Sequence, residues 1–103
     1  MNGFVLHPDA YSDLDEIWEF IAADNHPAAD RFLERIYEAI RRLASFPRIG
    51  HKRPDLTSRP LRFQVVGEYL IAYAPEEKPL AIVGILHGRR SPRVIAQILR
   101  GRE

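Results

Sequence analysis

The chain of 103 residues has no cysteine. That excludes disulfides and thiolate metal sites, and fits a reducing cytoplasm. No apolar run approaches the ~20 residues of a membrane span. The opening Met1–Leu6 stretch is too short for the apolar region of a secretory signal, and Pro8-Asp9 interrupts it. Gly-rich phosphate loops, Gly-x-Ser-x-Gly elbows, His-x-x-x-His pairs and Cys/His metal patterns are all missing, so no cofactor or metal is expected. Repeats and low-complexity segments are absent too. The net charge of +1 is too small to make nucleic acid the default ligand, and no specific DNA binding by this chain alone is expected. A soluble, cytoplasmic protein with no membrane association is the expectation.

What is present suits one domain, residues 1–103, with 46% hydrophobic residues to fill a core. The small net charge hides an asymmetry. Residues 1–45 carry a balance of −5 and residues 46–103 a balance of +6. A basic half can attract a polyanion or an acidic partner. All eight prolines stand where an element should begin or end. Between them, Phe4–His7 reads as a short strand. Pro8 then opens a helix whose early acids, Asp13, Asp15 and Glu16 among them, read as a solvated turn favoured by the macrodipole.

In that helix Leu14, Ile17, Trp18 and Ile21 share one face. After the tight Asp24-Asn25-His26 connection, Pro27 opens a second helix, capped by Asn25 or His26. There Ala29, Phe32, Leu33, Ile36, Ile40 and Leu43 form the apolar stripe, with Glu38 and Arg42 as an exposed pair. So short a connection makes the helices antiparallel. A polar loop follows over 46–54. Leu61–Val66 and Tyr69–Tyr73, joined by Gly67-Glu68, make a hairpin, and the Leu80–Arg90 run, whose end carries His87, Arg89 and Arg90, continues it as a meander. Pro92 opens a short last helix. The order predicts an α+β, two-layer β-α-α-β-β-β domain: a helical hairpin on a mainly antiparallel four-stranded sheet, then a short C-terminal helix. The place of the first strand in that sheet stays open.

Several pieces recur in one family: Leu6-His7-Pro8-Asp9-Ala10, then Asp13–Ile17, and Ala28-Ala29 with Phe32 and Ile36. Further along come Leu43–Gly50, Arg62, Tyr69–Tyr73 and Ile85-Leu86-His87-Gly88-Arg89-Arg90. In this order and length they resemble the RelE/ParE superfamily of small bacterial toxins, most of all its ParE branch of plasmid-stabilisation proteins. The resemblance implies the toxin of a type II toxin–antitoxin system, held inactive by a cognate ParD-like antitoxin. ParE-type members act on DNA gyrase, whereas RelE-type members cut mRNA on the ribosome.

RNA cleavage needs a general base, phosphate-holding cations and an acid for the leaving oxygen. His87 can exchange a proton near neutrality. Arg62, Arg89, Arg90, Lys52 and Arg53 can hold phosphate. Yet the third-strand motif carries Leu70 where RelE-type members have a basic residue, and Ser91-Pro92 stands where they tend to have Tyr or His. The reading is therefore a gyrase inhibitor, not an enzyme, with an mRNA endonuclease as the alternative. No catalytic residue is assigned. Arg62, His87, Arg89 and Arg90, with the Pro92–Arg100 segment, are the expected toxic surface. Trp18, Ile21, Phe32 and Ile36 are expected to line the antitoxin groove. His7, His26 and His51 receive no function.

Overall fold

The computed structural model describes residues 3–102. Strand β1 (Phe4–Leu6) leads into α1 (Pro8–Ala22) and α2 (His26–Ser45), followed by β2 (Arg62–Val66), β3 (Tyr69–Ala74), β4 (Leu80–His87) and α3 (Pro92–Arg100). Each helix starts on a proline at its first turn and on a side-chain cap. His7 Nδ1 accepts from the Asp9 amide, Asn25 Oδ1 from Ala28, and Ser91 Oγ from Val94. His7, left without a role by the sequence, is thus the cap of α1. Glu38 and Arg42 do not pair: among the described residues no ion pair joins them, as their small expected gain allows.

The sheet order is β1-β4-β3-β2. The β2–β3 and β3–β4 pairs are antiparallel, and β1 runs parallel to β4, so the sheet is mixed. This places the first strand beside the last. Gly67 takes the left-handed φ of +59° at the first position of the two-residue β2–β3 turn, the geometry that keeps such hairpins twisted. The helical hairpin covers one face. Ile36, Ile40 and Leu43 of α2 and Leu14 and Ile17 of α1 pack there on Val66, Ile71, Tyr73, Ile82 and Ile85. The opposite face carries its own cluster, where Ile95 and Leu99 of α3, with Leu56 and Leu61, seal Phe63, Leu70, Ala72, Val83 and Leu86.

Strand β4 serves both clusters because its alternation is broken once. Ala72 faces Gly84 but Tyr73 faces Ile82, leaving Val83 as an extra residue. This bulge shifts the phase so that Ile82 and Ile85, three apart, point to the same face. Beyond it β1 has ended, and the outer edge of β4 would be bare. Asp13 and Arg102 fill the gap. Asp13 Oδ2 accepts from the Ile85 amide at 2.9 Å, while Arg102 donates to Val83 O at 3.3 Å and grips both Asp13 oxygens. The expectation of a solvated Asp13 is overturned: the residue is buried. Gly84 is required, since a Cβ there would collide with the Arg102 guanidinium and sit 3.2 Å from Asp13 Oδ2. Arg59 ties the same C-terminal segment down through Leu99 O and Arg102 O.

Candidate functional site

The structure gathers His87, Arg89 and Arg90 at one end of the sheet, where β4 turns toward α3. The turn is held by backbone bonds, Gly88 N–H to Glu68 O at 2.7 Å and Arg90 N–H to His87 O at 3.2 Å. His87 Nδ1 accepts from the Arg89 amide at 3.1 Å, which fixes the neutral ring with its proton on Nε2. The ring stands edge-on to Tyr69, centroids 5.0 Å apart at 71°. Burial pushes the Tyr69 phenol above its ordinary value of 10.0, with Glu68 adding to the rise and Arg90 opposing it. Arg89 reaches back to Glu68 at 2.9 Å in an exposed pair, so Arg90 is the freer cation of the two.

A groove of about 740 Å³ runs from this corner between α1 and α3. Asp9 and Glu16 of α1 flank one side, Arg89 and Arg90 the other, with the buried Ile17, Ile85 and Leu86 beneath and Phe20 and Ile98 as apolar wall. Phe20 is 76% exposed, an unusual position for a phenylalanine. It lies off the Leu14–Ile17–Trp18–Ile21 stripe, and that misfit to the helical pattern is the sequence signal that could have found it.

Arg62 does not join this corner. It opens β2 opposite Tyr73, four residues along β3 from Tyr69, or roughly 13 Å at strand rise. Its Nη1 donates to Gly50 O at 2.8 Å. Tyr73 completes the knot: its hydroxyl donates to Pro47 O at 2.8 Å and accepts from Gly50 N–H at 2.9 Å. Arg62, Tyr73 and the Phe46–Gly50 segment, scattered in the sequence, are one structural clasp. Lys52 and Arg53 lie in the loop behind it, where Arg53 pairs with Asp55 at 2.8 Å.

The four residues expected to line a partner groove divide. Ile36 is 0% exposed and can back a surface but not touch a partner. Trp18, Ile21 and Phe32 are half-buried along the hairpin. Trp18 donates its indole N–H to Asp30 at 2.8 Å and stands edge-on to His26, which holds the hairpin closed. Phe32 packs against Tyr69 with centroids 5.6 Å apart. Phe32, Tyr69 and His87 therefore form a ring-to-ring path from the helical hairpin to the basic corner.

A small α+β domain with a helical hairpin on one sheet face and a basic strand end matches a known class of bacterial toxin. The chain matches the family model of the ParE toxin of type II toxin–antitoxin system, parDE, over residues 4–92, and it belongs to that family. Membership makes it the toxin kind of a type II pair, for which a cognate antitoxin is the implied partner. The matched stretch ends where α3 begins. No curated protein matches the chain. Among the described residues no helix is long and apolar enough to cross a membrane.

Proposed function

We propose that this toxin inhibits DNA gyrase in the cytoplasm, is neutralised by a ParD-like antitoxin, and uses the His87–Arg90 corner with α3 against its target. One observation carries the choice of gyrase over mRNA. Leu70, at the third-strand position where nuclease relatives carry a cation, is 7% exposed and lies in the cluster that α3 seals. An apolar side chain under a helix supplies no charge to a scissile phosphate. With its Nδ1 lone pair taken by the Arg89 amide, the neutral His87 ring presents an Nε2–H donor and no free lone pair for a general base. Arg90, the exposed Arg93 and the half-exposed face of α3 offer instead a protruding cationic surface for a large protein target.

Trp18, Ile21 and Phe32 are the antitoxin contacts in this reading, where an amphipathic helix lays its apolar face on the hairpin. Induced expression of the chain should arrest growth, and co-expression of the neighbouring reading frame should relieve the arrest. Replacing both Arg89 and Arg90 with Ala should abolish the arrest while leaving antitoxin binding intact. A double variant that stays fully toxic at equal expression refutes the assignment of the corner.

A further inference from the structure

The α1–α3 groove is charged in opposite senses on its two sides, and each side holds one ionised group that the fold leaves unpaired. Asp9 is engaged, 3.7 Å from Arg102 and 3.9 Å from His7. Arg89 is held by Glu68 at 2.9 Å. Glu16 of α1 and Arg90 after β4 both line the groove, yet among the described residues neither has an ion-pair partner. Phe20 follows Glu16 by one helical turn, so the two side chains are neighbours on the α1 surface. At 76% exposure, Phe20 is also the most exposed large apolar side chain among the described residues.

A partner helix of one sign would suit one side of this groove and be repelled by the other. A second copy of the chain suits both. With two copies turned mouth to mouth about a two-fold axis, the acidic side of each faces the basic side of the other. Glu16 of each copy then meets an arginine at position 90 of the other, and Phe20 closes over the apolar wall at Ile98. The net charge of +1 puts no long-range repulsion between copies. We infer that the α1–α3 groove is a homodimer interface, closed by two Glu16–Arg90 pairs and two covered Phe20 rings. Two helix faces and a strand end make a small footprint, which suits a reversible dimer with a dissociation constant on the order of 10 µM. Arg90 belongs to the proposed toxic corner, so pairing hides that corner: the dimer is a storage form, and the monomer meets the target. This occlusion rests on the function proposed above; the interface itself does not.

Sedimentation of the purified full chain over a concentration series reads the equilibrium directly. Wild type should pass from monomer to dimer, and added salt should favour the monomer. Glu16→Arg and Arg90→Glu each set like charges against one another across the two-fold. Either variant alone should need at least about tenfold more protein to dimerise. Mixed in equal amounts, the two should pair with each other, because every contact between them is again one of opposite charge. Phe20→Ser, a change at an exposed side chain, should also weaken the dimer about tenfold. Glu34→Arg, an equal charge change on the exposed face of α2, should leave it unchanged. A monomer at every concentration up to about 1 mM overturns the interface and gives the groove to another protein. So does a dimer that survives both charge variants and Phe20→Ser, or a failure of the two charge variants to pair when mixed. A chain that dimerises in this way but leaves gyrase active refutes the function and keeps the interface. A toxic chain that stays monomeric keeps the function and refutes the interface. If gyrase inhibition per mole of toxin does not fall as the dimer fills, the interface stands and the occlusion is refuted.

Discussion

Asp13, Arg102 and Gly84 act as a unit that closes a backbone gap. Removing Asp13 leaves the Arg102 guanidinium, only 12% exposed, without its counter-charge, and the Ile85 amide without an acceptor. Breaking a buried pair in this way costs about 3–5 kcal/mol, so Asp13→Ala should lower the urea midpoint severely. Gly84→Ala should cost a comparable amount by displacing the same guanidinium. The double variant should be far less destabilised than the sum, because both changes break one interaction. Additive losses in denaturant unfolding would show that the pair and the bulge are independent. Nothing local in the sequence announces this pair, since its partners are 89 positions apart and Asp13 sits in an acidic run that suits a helix start without it.

Tyr73 permits a pH prediction at the same scale. Burial raises its phenol above the ordinary value of 10.0, against smaller opposing effects of the Gly50 bond and Arg62. The folded state then holds the proton more tightly than the unfolded chain. This contribution is fully present below pH ~10 and is lost as pH rises through the raised value. Tyr73→Phe forfeits the bonds to Gly50 N–H and Pro47 O and should cost about 1–3 kcal/mol at neutral pH. Its deficit should shrink above pH ~10, where wild type loses stability that the variant never had. A deficit constant across that range would contradict the account. The period-two spacing of Tyr69 and Tyr73 sets them on one strand face, but nothing local in the sequence announces the Tyr73 bond to a loop residue 23 positions upstream.

Among elements, the helices were the most legible, because prolines and short-range caps mark their starts and the apolar stripes mark their faces. Asn25 was foreseen as a candidate cap. The bulge in β4 was hidden, since Ile82-Val83-Gly84-Ile85-Leu86 is an almost unbroken apolar run in which a phase shift changes no residue type. Helix α3, whose Val94, Ile95, Ile98 and Leu99 read as apolar contacts, seals the second sheet face through Ile95 and Leu99. Ser91→Ala removes its cap and should cost about 1 kcal/mol, read as faster amide exchange across 92–100. Leu99→Ala should cost about 2–5 kcal/mol and loosen the cover over Leu70 and Phe63. If exchange across α3 is unchanged in Ser91→Ala, the hydroxyl is not what fixes its start.

For the whole molecule, the α+β order and the hairpin-on-sheet arrangement followed from punctuation and periodicity, and β1 lying parallel to β4 did not. A three-residue strand carries too little pattern to reveal its neighbour. Of the four residues expected to form the toxic surface, His87, Arg89 and Arg90 lie together at the end of β4, while Arg62 lies at the far end of β2 in a clasp with Gly50 and Tyr73. The acidic hairpin and the basic corner meet across the α1–α3 groove, so the charge asymmetry of the sequence becomes one bipolar surface. In the proposed function this surface acts on gyrase and not on mRNA. Purified toxin added to gyrase with relaxed plasmid and ATP is the most direct measurement, with a ribosome-bound mRNA sample run beside it. Dose-dependent loss of supercoiling, relieved by antitoxin, with the mRNA left intact, is the expected result. Undisturbed supercoiling with mRNA cut at defined codons would contradict it.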